Sequence, residues 1–495
     1  MQLKEIISQF SPVSIEGPLD REVAGITYDS RRVTPGMIFV AIPGQHVDGH
    51  QFIDAAIDRG AAAIICTKNG FSSQRATKIK VADAREALAH AAAAYYQHPG
   101  SKLKVIGVTG TNGKTTVAFM VKEILEAAGI KTGLIGTVRY EIGERVIPAH
   151  RTTPEALEIQ QMMAQMLRAG CAACVMEVSS HALEQQRVGG IDFDLGIFTN
   201  LTQDHLDYHG TMEEYYAAKK KLFTVLHANA KPGGAVINID DTFGQRLTKE
   251  TKAEVQLTYG LGEAATLRAT QIQLGRDTTR FKIEMPDQKF SCQLPLIGRY
   301  NIYNALAAVG AALVLKVPVP TIKSALNDMR PVPGRLEKIA AGQPFGVYVD
   351  YAHTYDALRN VLITLREIAS GRLLLAFGCG GSRDTGKRAK MGRAAAELAD
   401  FTLITSDNPR KESPAKIAAQ IEEGFRSVRP DGFKLELDRR RAIDEVIRMA
   451  QPGDMVLIAG KGHETYQEFE DTVVPFDDCV YAQETLETLG YIRTK

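Results

Sequence analysis

The hydrophobic pattern divides the chain into three stretches. Over residues 1–99, short apolar runs such as ITYDSRRV and MIFVAIPG predict strands, while FIDAAIDRGAAAIIC predicts a helix. Residues 97–101, QHPGS, bring Pro and Gly where a domain boundary is expected. From 100 to 330, strand and helix alternate. KVIGV reads as a buried strand and TTVAFMVKEILEAAG as a helix, with Val117, Met120, Val121, Ile124, Leu125 and Ala128 at helical spacing and Gly129 as its stop. CVMEV, LGIFTN and GAVINI predict further buried strands, so a largely parallel sheet flanked by helices is expected. Between 253 and 297 the alternation of TRFKIEM predicts a small antiparallel section. From 331 to 495, the strands FGVYVD, LLLAFG, FTLIT and MVLIAG each run into a polar or glycine-rich loop. In an open α/β sheet such loops share one ligand-binding edge.

Length adds that 495 residues at about 150 per domain suggest three domains, 1–99, 100–330 and 331–495. Charge removes one class of function. With 59 Lys+Arg against 58 Asp+Glu there is no basic excess of the kind a nucleic-acid binder uses. The N-terminus MQLKEIISQF lacks the apolar core of a signal peptide, and no apolar run is long enough to span a membrane. A soluble, cytoplasmic, monomeric enzyme is expected. Six scattered Cys predict no disulfide scaffold, and Cys171 and Cys174 form a CxxC without a second ligand pair at zinc spacing.

The sharpest motif is GVTGTNGKTT at residues 107–116, between a strand and a helix. Gly110, Thr111, Asn112 and Gly113 would let backbone N–H groups curl round phosphate oxygens at a helix N-terminus. Lys114 would reach the outer phosphates, Thr115 would offer its hydroxyl to Mg²⁺, and Thr116 completes the motif. The strict phosphate-loop pattern wants glycine where Val108 stands. A second GxxxxGK, at Gly381, Gly386 and Lys387, has Arg388 in place of the metal-binding hydroxyl. It is expected to hold an anion other than the nucleotide.

Glu177 ends CVMEV and His205 follows LGIFTN, so both fall on the edge of the phosphate loop. Mg²⁺ prefers oxygen ligands, which Glu177 fits more easily than His205. Asp204, Asp207 and His209 are the alternative, a transition-metal site. The next helix opens with a capping box, Thr211 and Glu214, and carries Met212, Tyr215, Tyr216, Leu222 and Phe223 as its inward stripe. Lys219 falls on that stripe. Spacing alone favours an ordinary lysine with a buried stem and exposed head. The other possibility is a buried amine that loses its proton and takes up CO₂ as a carbamate.

Taken together, GTNGKTT, EVSSH, NLTQDHLDYH, EYYAAKKKLF, GRYNIYN, PGRLE and DYAHT resemble the Mur ligase family, ATP-dependent amino-acid ligases of peptidoglycan precursor synthesis. The resemblance runs over nearly the whole chain. It implies an α/β fold of three domains: a UDP-substrate domain, a central P-loop-type parallel sheet binding ATP, and a C-terminal Rossmann-like domain binding the amino acid. It implies Mg²⁺ held by Thr115, Glu177 and His205, Lys219 as N6-carboxylysine, and Lys114 and Lys219 as catalytic groups. Asn301, Arg335 and Asp350 would contact ATP. Ser30, Gln45, His46 and Val47 would form the uridine-diphosphate pocket, and Thr152, Thr153, Ser179, Gln185 and Arg187 would hold the muramoyl-dipeptide. Two departures stand out: Tyr355 where DYAHTPD has Pro, and Arg151 where some relatives carry Asn.

The loop SDNPR, residues 406–410, is by itself an Asn-Pro turn. Within the family, DNPR marks members adding meso-diaminopimelate rather than L-lysine. Asp407, Asn408, Pro409 and Arg410, with Arg383, Gly460 and Glu464, would form the pocket. Arg410 would grip the distal carboxylate and Glu464 would accept from the distal ammonium. Lysine, lacking that carboxylate, would leave the guanidinium unpaired, a cost of about 1–3 kcal/mol. The partners implied are small molecules: UDP-N-acetylmuramoyl-L-alanyl-D-glutamate, meso-diaminopimelate and ATP. The competing readings are a folylpolyglutamate synthetase-like ligase, which needs no uridine pocket or DNPR, and a P-loop ATPase switch, which needs no amino-acid acceptor.

Overall fold

The computed structural model describes residues 1–44, 47–68, 74–228 and 233–492, arranged around three α/β sheets. The first sheet has five strands in the order Ser14–Glu16, Thr77–Lys80, Ala63–Cys66, Met37–Val40 and Gly25–Thr27, parallel except for Ser14–Glu16. Here the predicted helix over FIDAAIDRGAAAIIC is corrected. The α-helix covers only Ile53–Asp58. Gly60 then turns the chain at φ +90°, and Ala63–Cys66 forms a fully buried strand. An apolar run of this length fits a buried strand as well as a helix, and the left-handed glycine decides between them.

The central sheet has eleven strands. At its centre, Ala173–Glu177 and Leu195–Phe198 flank Lys104–Thr109 on either side, all parallel. These strands are near-continuous runs of buried apolar residues because helices cover both faces. The carboxyl ends of all three point the same way, which brings Gly110, Val178 and Thr199 to one edge. The predicted antiparallel section is present as Leu267–Leu274, Thr279–Met285 and Gln288–Leu294. A hairpin of Arg139–Ile142 and Arg145–Pro148, not read from the sequence, extends the opposite edge.

The third sheet orders its strands Glu337–Lys338, Gly346–Asp350, Met455–Ala459, Leu373–Phe377, Phe401–Ile404 and Phe433–Leu435, parallel apart from the first. The four predicted strands are therefore neighbours, and their four following loops share one edge. Among the described residues, no helix is long and apolar enough to cross a membrane.

Candidate active site

The helix Lys114–Ala127 starts directly from the phosphate loop, with Gly113 at φ +86° as its cap and Gly110 at φ +149°. Neither glycine has room for a side chain. A Cβ at Gly110 would lie 1.9 Å from Thr199 Oγ1, and one at Gly113 would lie 2.5 Å from Asn304 Oδ1. The loop is clamped to its neighbour as well. Thr111 N donates to Asn200 O at 2.9 Å, Asn112 N to Asn200 Oδ1 at 2.9 Å, and Thr199 Oγ1 to Asn112 O at 2.6 Å.

A cavity of about 530 Å³ opens over this loop. Its wall includes Thr111 through Thr116, Glu177 and His205 from the central part and Arg335, Asp350 and Tyr351 from the C-terminal part. Arg335 Nη2 donates to Thr115 Oγ1 at 3.0 Å across that boundary, and its guanidinium stacks 4.8 Å from the Tyr351 ring. Asp350 is buried and anchors its own surroundings, accepting from Leu336 N at 2.6 Å and Ala352 N at 2.8 Å. Burial pushes its carboxyl up, against the pull of Arg335. Asn301 does not line the cavity. It accepts from Asn304 Nδ2 at 3.0 Å, and Asn304 is the residue on the wall. The signal for Asn304 was available: two Asn three apart on the helix Arg299–Val314, whose other buried positions are apolar.

Thr115 Oγ1 donates to Glu177 Oε2 at 3.0 Å, and Thr137 supports the same carboxylate through its N at 2.7 Å and its Oγ1 at 2.9 Å. A hydroxyl beside a carboxylate is an oxygen-donor pair suited to Mg²⁺, which takes its remaining ligands from phosphate and water. His205, at φ +54°, caps the helix Leu206–His209 and is half exposed on the same cavity wall. The transition-metal alternative fails on geometry. Among the described residues, no three His, Cys, Asp or Glu side chains are placed to hold an ion, and His209 Nε2 is engaged with Ser180 Oγ at 2.9 Å.

Lys219 is buried at 2% exposure, on the stripe with Tyr215, Tyr216, Leu222 and Phe223. Its neighbours Lys220 and Lys221 instead reach Glu250 and Glu184, each at 2.8 Å. The capping box forms as expected, with Glu214 N donating to Thr211 Oγ1 at 3.2 Å. Lys219 Nζ donates to Gly110 O at 2.8 Å, the same carbonyl that receives Lys114 Nζ at 2.9 Å. Two amines on one carbonyl repel if both are charged. Burial drives the Lys219 pKa well down, and Lys114 drives it further.

From the Glu177 strand a continuous network leads away toward the first sheet. Thr153 Oγ1 donates to Glu177 O at 2.8 Å and accepts from Ser179 N at 3.0 Å. Arg187 donates to Thr153 O at 3.0 Å and to Gln185 Oε1 at 2.7 Å, while Thr152 pairs with Thr137 at 3.1 Å. Arg151 pairs with Glu155 on the rim of this network. Ser30 opens a short helical turn capped by Asp29, and Val47 is exposed. Among the described residues, neither hydrogen-bonds to the network. Gln45 and His46 lie outside the described residues.

At the edge of the third sheet, Asp407, Asn408 and Pro409 are buried and Arg410 is partly so, at φ +51°. Arg410 Nε donates to Glu468 Oε2 at 2.9 Å and Nη1 to Gly381 O at 3.0 Å. The expectation of a guanidinium left unpaired by lysine is thereby corrected, since Glu468 partners it within the protein. Gly460, at φ +115°, brings the backbone close enough that a Cβ would lie 2.5 Å from Asp407 Oδ2. Glu464 Oε2 accepts from Asn408 Nδ2 at 2.8 Å and from Lys461 Nζ at 3.0 Å. Burial raises the Glu464 pKa, and Lys461 works against that rise. Arg383 is exposed. Sequence reasoning missed Lys461 and Glu468 because each reads as an ordinary surface charge.

The second GxxxxGK loop is also corrected. Lys387 donates to His353 O at 2.7 Å, and Arg388, 1% exposed, turns inward to Glu412 at 2.8 Å. Arg388 is thus used internally, whereas Lys387 stays on the wall of a second cavity of about 500 Å³ with Lys390 and Arg393. Tyr355 at the start of the helix Tyr355–Ile368 leaves the turn intact, since Thr354 caps it by accepting from Ala357 N at 3.3 Å.

Three family models match in chain order: "Mur ligase family, catalytic domain" over 22–96, "Mur ligase middle domain" over 108–312 and "Mur ligase, glutamate ligase domain" over 334–462. The UDP-N-acetylmuramoyl-L-alanyl-D-glutamate–2,6-diaminopimelate ligase of Syntrophomonas wolfei is 45% identical over 486 residues, covering 98% of this chain and 99% of its own. That of Solibacter usitatus is 44% identical over 501 residues, covering 100% of both. A solved structure of a ligase of the same name matches with a TM-score of 0.72 at 33% identity, over 99% of each chain.

Proposed function

Because the chain belongs to the Mur ligase family, we propose that it joins meso-2,6-diaminopimelate to UDP-N-acetylmuramoyl-L-alanyl-D-glutamate at the expense of ATP. The observation that carries this reading is the unbroken similarity to diaminopimelate ligases over 98% of the chain. A folylpolyglutamate synthetase-like reading leaves the match over 22–96 and the Asp407–Arg410 loop unused. A switch ATPase leaves the converging C-terminal loops without a ligand.

In this reaction the D-glutamyl γ-carboxylate attacks the γ-phosphorus of ATP and ADP leaves. The diaminopimelate amine then adds to the acyl phosphate, and inorganic phosphate departs from the tetrahedral intermediate with formation of the amide. Gly110 to Thr116 cradle the phosphates through backbone N–H groups, and Lys114 swings from its own loop carbonyls to the transferring phosphate. Asn304, backed by Asn301, and Arg335 bound the nucleotide from the helix and the C-terminal side. Thr115, Glu177 and His205 would hold Mg²⁺, which supplies neutralisation of phosphate charge when bound. The Arg335–Thr115 contact couples nucleotide binding to the C-terminal part, so that closure completes the site.

A neutral, buried Lys219 amine beside Lys114 is suited to take up CO₂. Addition of CO₂ to that amine, with loss of a proton to solvent, would give a carbamate anion beside the Lys114 ammonium, a cation–anion pair at Gly110 O. Thr152, Thr153, Ser179, Gln185 and Arg187 orient the dipeptide next to Glu177, and Ser30, Gln45, His46 and Val47 hold the uridine diphosphate. Asn408, Arg410 and Glu464, with Arg383, Asp407, Pro409 and Gly460, take the amino acid.

The test is product identity. Purified protein with ATP, Mg²⁺, the UDP-dipeptide and diaminopimelate should yield a UDP-tripeptide by mass spectrometry, with one phosphate released per product. ATP consumption without a heavier nucleotide product would overturn the reading.

A further inference from the structure

Two buried arginines stand behind the amino-acid pocket, and neither lines the nucleotide cavity. Arg439 opens the helix Arg439–Arg448 within a DRRR run, residues 438–441. Its side chain and that of Asp478 are both 0% exposed, and they pair at 2.7 Å. Two of the three remaining guanidinium hydrogens go to loop carbonyls, Nη1 to Ser406 O at 3.2 Å and Nη2 to Ala459 O at 3.0 Å. Those carbonyls immediately precede Asp407–Arg410 and Gly460–Glu464. Arg388 does the same for the other pair of loops. It holds Glu412 at 2.8 Å and Gly380 O at 3.1 Å, and Glu412 also accepts from Ser382 N.

The loops so tied have no slack between them. A Cβ at Gly378 would lie 2.2 Å from Thr405 O, and one at Gly381 would lie 1.9 Å from Pro409 O. Burial opposes the charge on Arg439, and Asp478 more than offsets it, so the clamp carries a full guanidinium fork. A planar fork can reach one carboxylate and two carbonyls at once, which a single ammonium cannot.

We infer that Arg388 and Arg439 are positioning residues for amino-acid selection, setting from behind the spacing of the three loops that carry Arg383, Asn408 with Arg410, and Gly460 with Glu464. This rests on the diaminopimelate reading of the pocket. A shift of about 1 Å between these loops separates the groups that read the distal carboxylate from those that read the distal ammonium. Among the described residues, no hydrogen-bond partner of either arginine lies on the nucleotide cavity wall.

The test is steady-state phosphate release by the full chain, varying diaminopimelate, ATP and UDP-dipeptide in turn. In Arg439→Lys and Arg388→Lys, the KM for diaminopimelate should rise at least tenfold and its preference over L-lysine should fall. The KM for ATP should stay within twofold. The double variant Arg439→Met/Asp478→Leu, which removes the clamp without leaving a lone charge, should retain a near-normal melting temperature and still show the raised KM. Arg372→Met, which breaks the pair with Asp454 at the opposite end of the same sheet, should lower the melting temperature and leave the KM for diaminopimelate unchanged. If the Arg439 variants do not fold, Arg388→Lys decides on the same criterion. A lowered melting temperature with an unaltered KM for diaminopimelate, or equal effects on all three substrates, overturns the inference. Wild-type protein that ignores diaminopimelate in this assay refutes the function instead.

Discussion

The nucleotide cavity and the amino-acid pocket treat buried positive charge in opposite ways. Around the phosphate loop, Lys114 and Lys219 end on backbone carbonyls, and among the described residues Lys219 donates to no carboxylate. In the C-terminal loops four cations already have an acid: Arg410 has Glu468, Lys461 has Glu464, Arg388 has Glu412 and Arg439 has Asp478. The ligands explain the difference. A polyphosphate brings its own negative charge, so cations held in reserve on weak acceptors gain most when it arrives. A zwitterion brings no net charge, so a pocket for it has to be neutral beforehand and differ only in where each sign lies.

Removing Lys219 should break this contrast most severely. Lys219→Ala should lower ligation by about a hundredfold or more, since a preorganised charge beside the transferring phosphate is lost. ¹³C-bicarbonate NMR should show a carbamate signal in the wild type and none in the variant. A near-normal rate in Lys219→Ala would remove the carbamate from the mechanism.

Arg410→Ala comes next. With Glu468 already partnering the guanidinium, discrimination against lysine rests on the distal carboxylate contact itself, and its loss should cost about tenfold in selectivity. Competition between the two amino acids in one reaction measures this directly. Unchanged selectivity would refute the Arg410 contact with the distal carboxylate.

Lys461→Met should have a smaller, pH-dependent effect. Burial raises the Glu464 pKa and Lys461 holds it down, so without Lys461 more Glu464 is protonated at a given pH. A protonated Glu464 no longer attracts an ammonium. The KM for diaminopimelate should therefore climb as pH falls, more steeply than in the wild type. Parallel pH profiles would show that Lys461 does not tune Glu464.

The smallest effect belongs to Tyr355→Pro. Tyr355 occupies the first helical position after the Thr354 cap, where an N–H has no helical partner. Proline there should raise stability by about 0.4–1 kcal/mol and leave the rate unchanged, as thermal denaturation and turnover would show.

The same division runs through what the sequence revealed. Groups on the nucleotide side sit in motifs whose spacing has a mechanical reason, so Gly110 to Thr116 and Glu177 were legible from pattern. For Lys219 spacing favoured an exposed head, and its 2% exposure with Nζ on Gly110 O corrects that. The strand edge at which the C-terminal loops meet was legible too, because four apolar runs each ended in a polar loop. What stayed hidden were the charge pairs between distant segments. Arg439 and Asp478 are 39 residues apart and Arg410 and Glu468 are 58 apart, and each alone looks like a solvated surface residue. Asn304 was hidden differently, behind the more prominent Asn301. Along FIDAAIDRGAAAIIC the periodicity served helix and strand equally, and only the turn at Gly60 separated them.

The central claim is that phosphate release requires a specific acceptor amino acid. Purified protein with ATP, Mg²⁺ and UDP-N-acetylmuramoyl-L-alanyl-D-glutamate should be assayed with meso-diaminopimelate, with L-lysine and with no acceptor. Rapid release with diaminopimelate and little with the other two is the predicted result. Release that is equal in all three contradicts it.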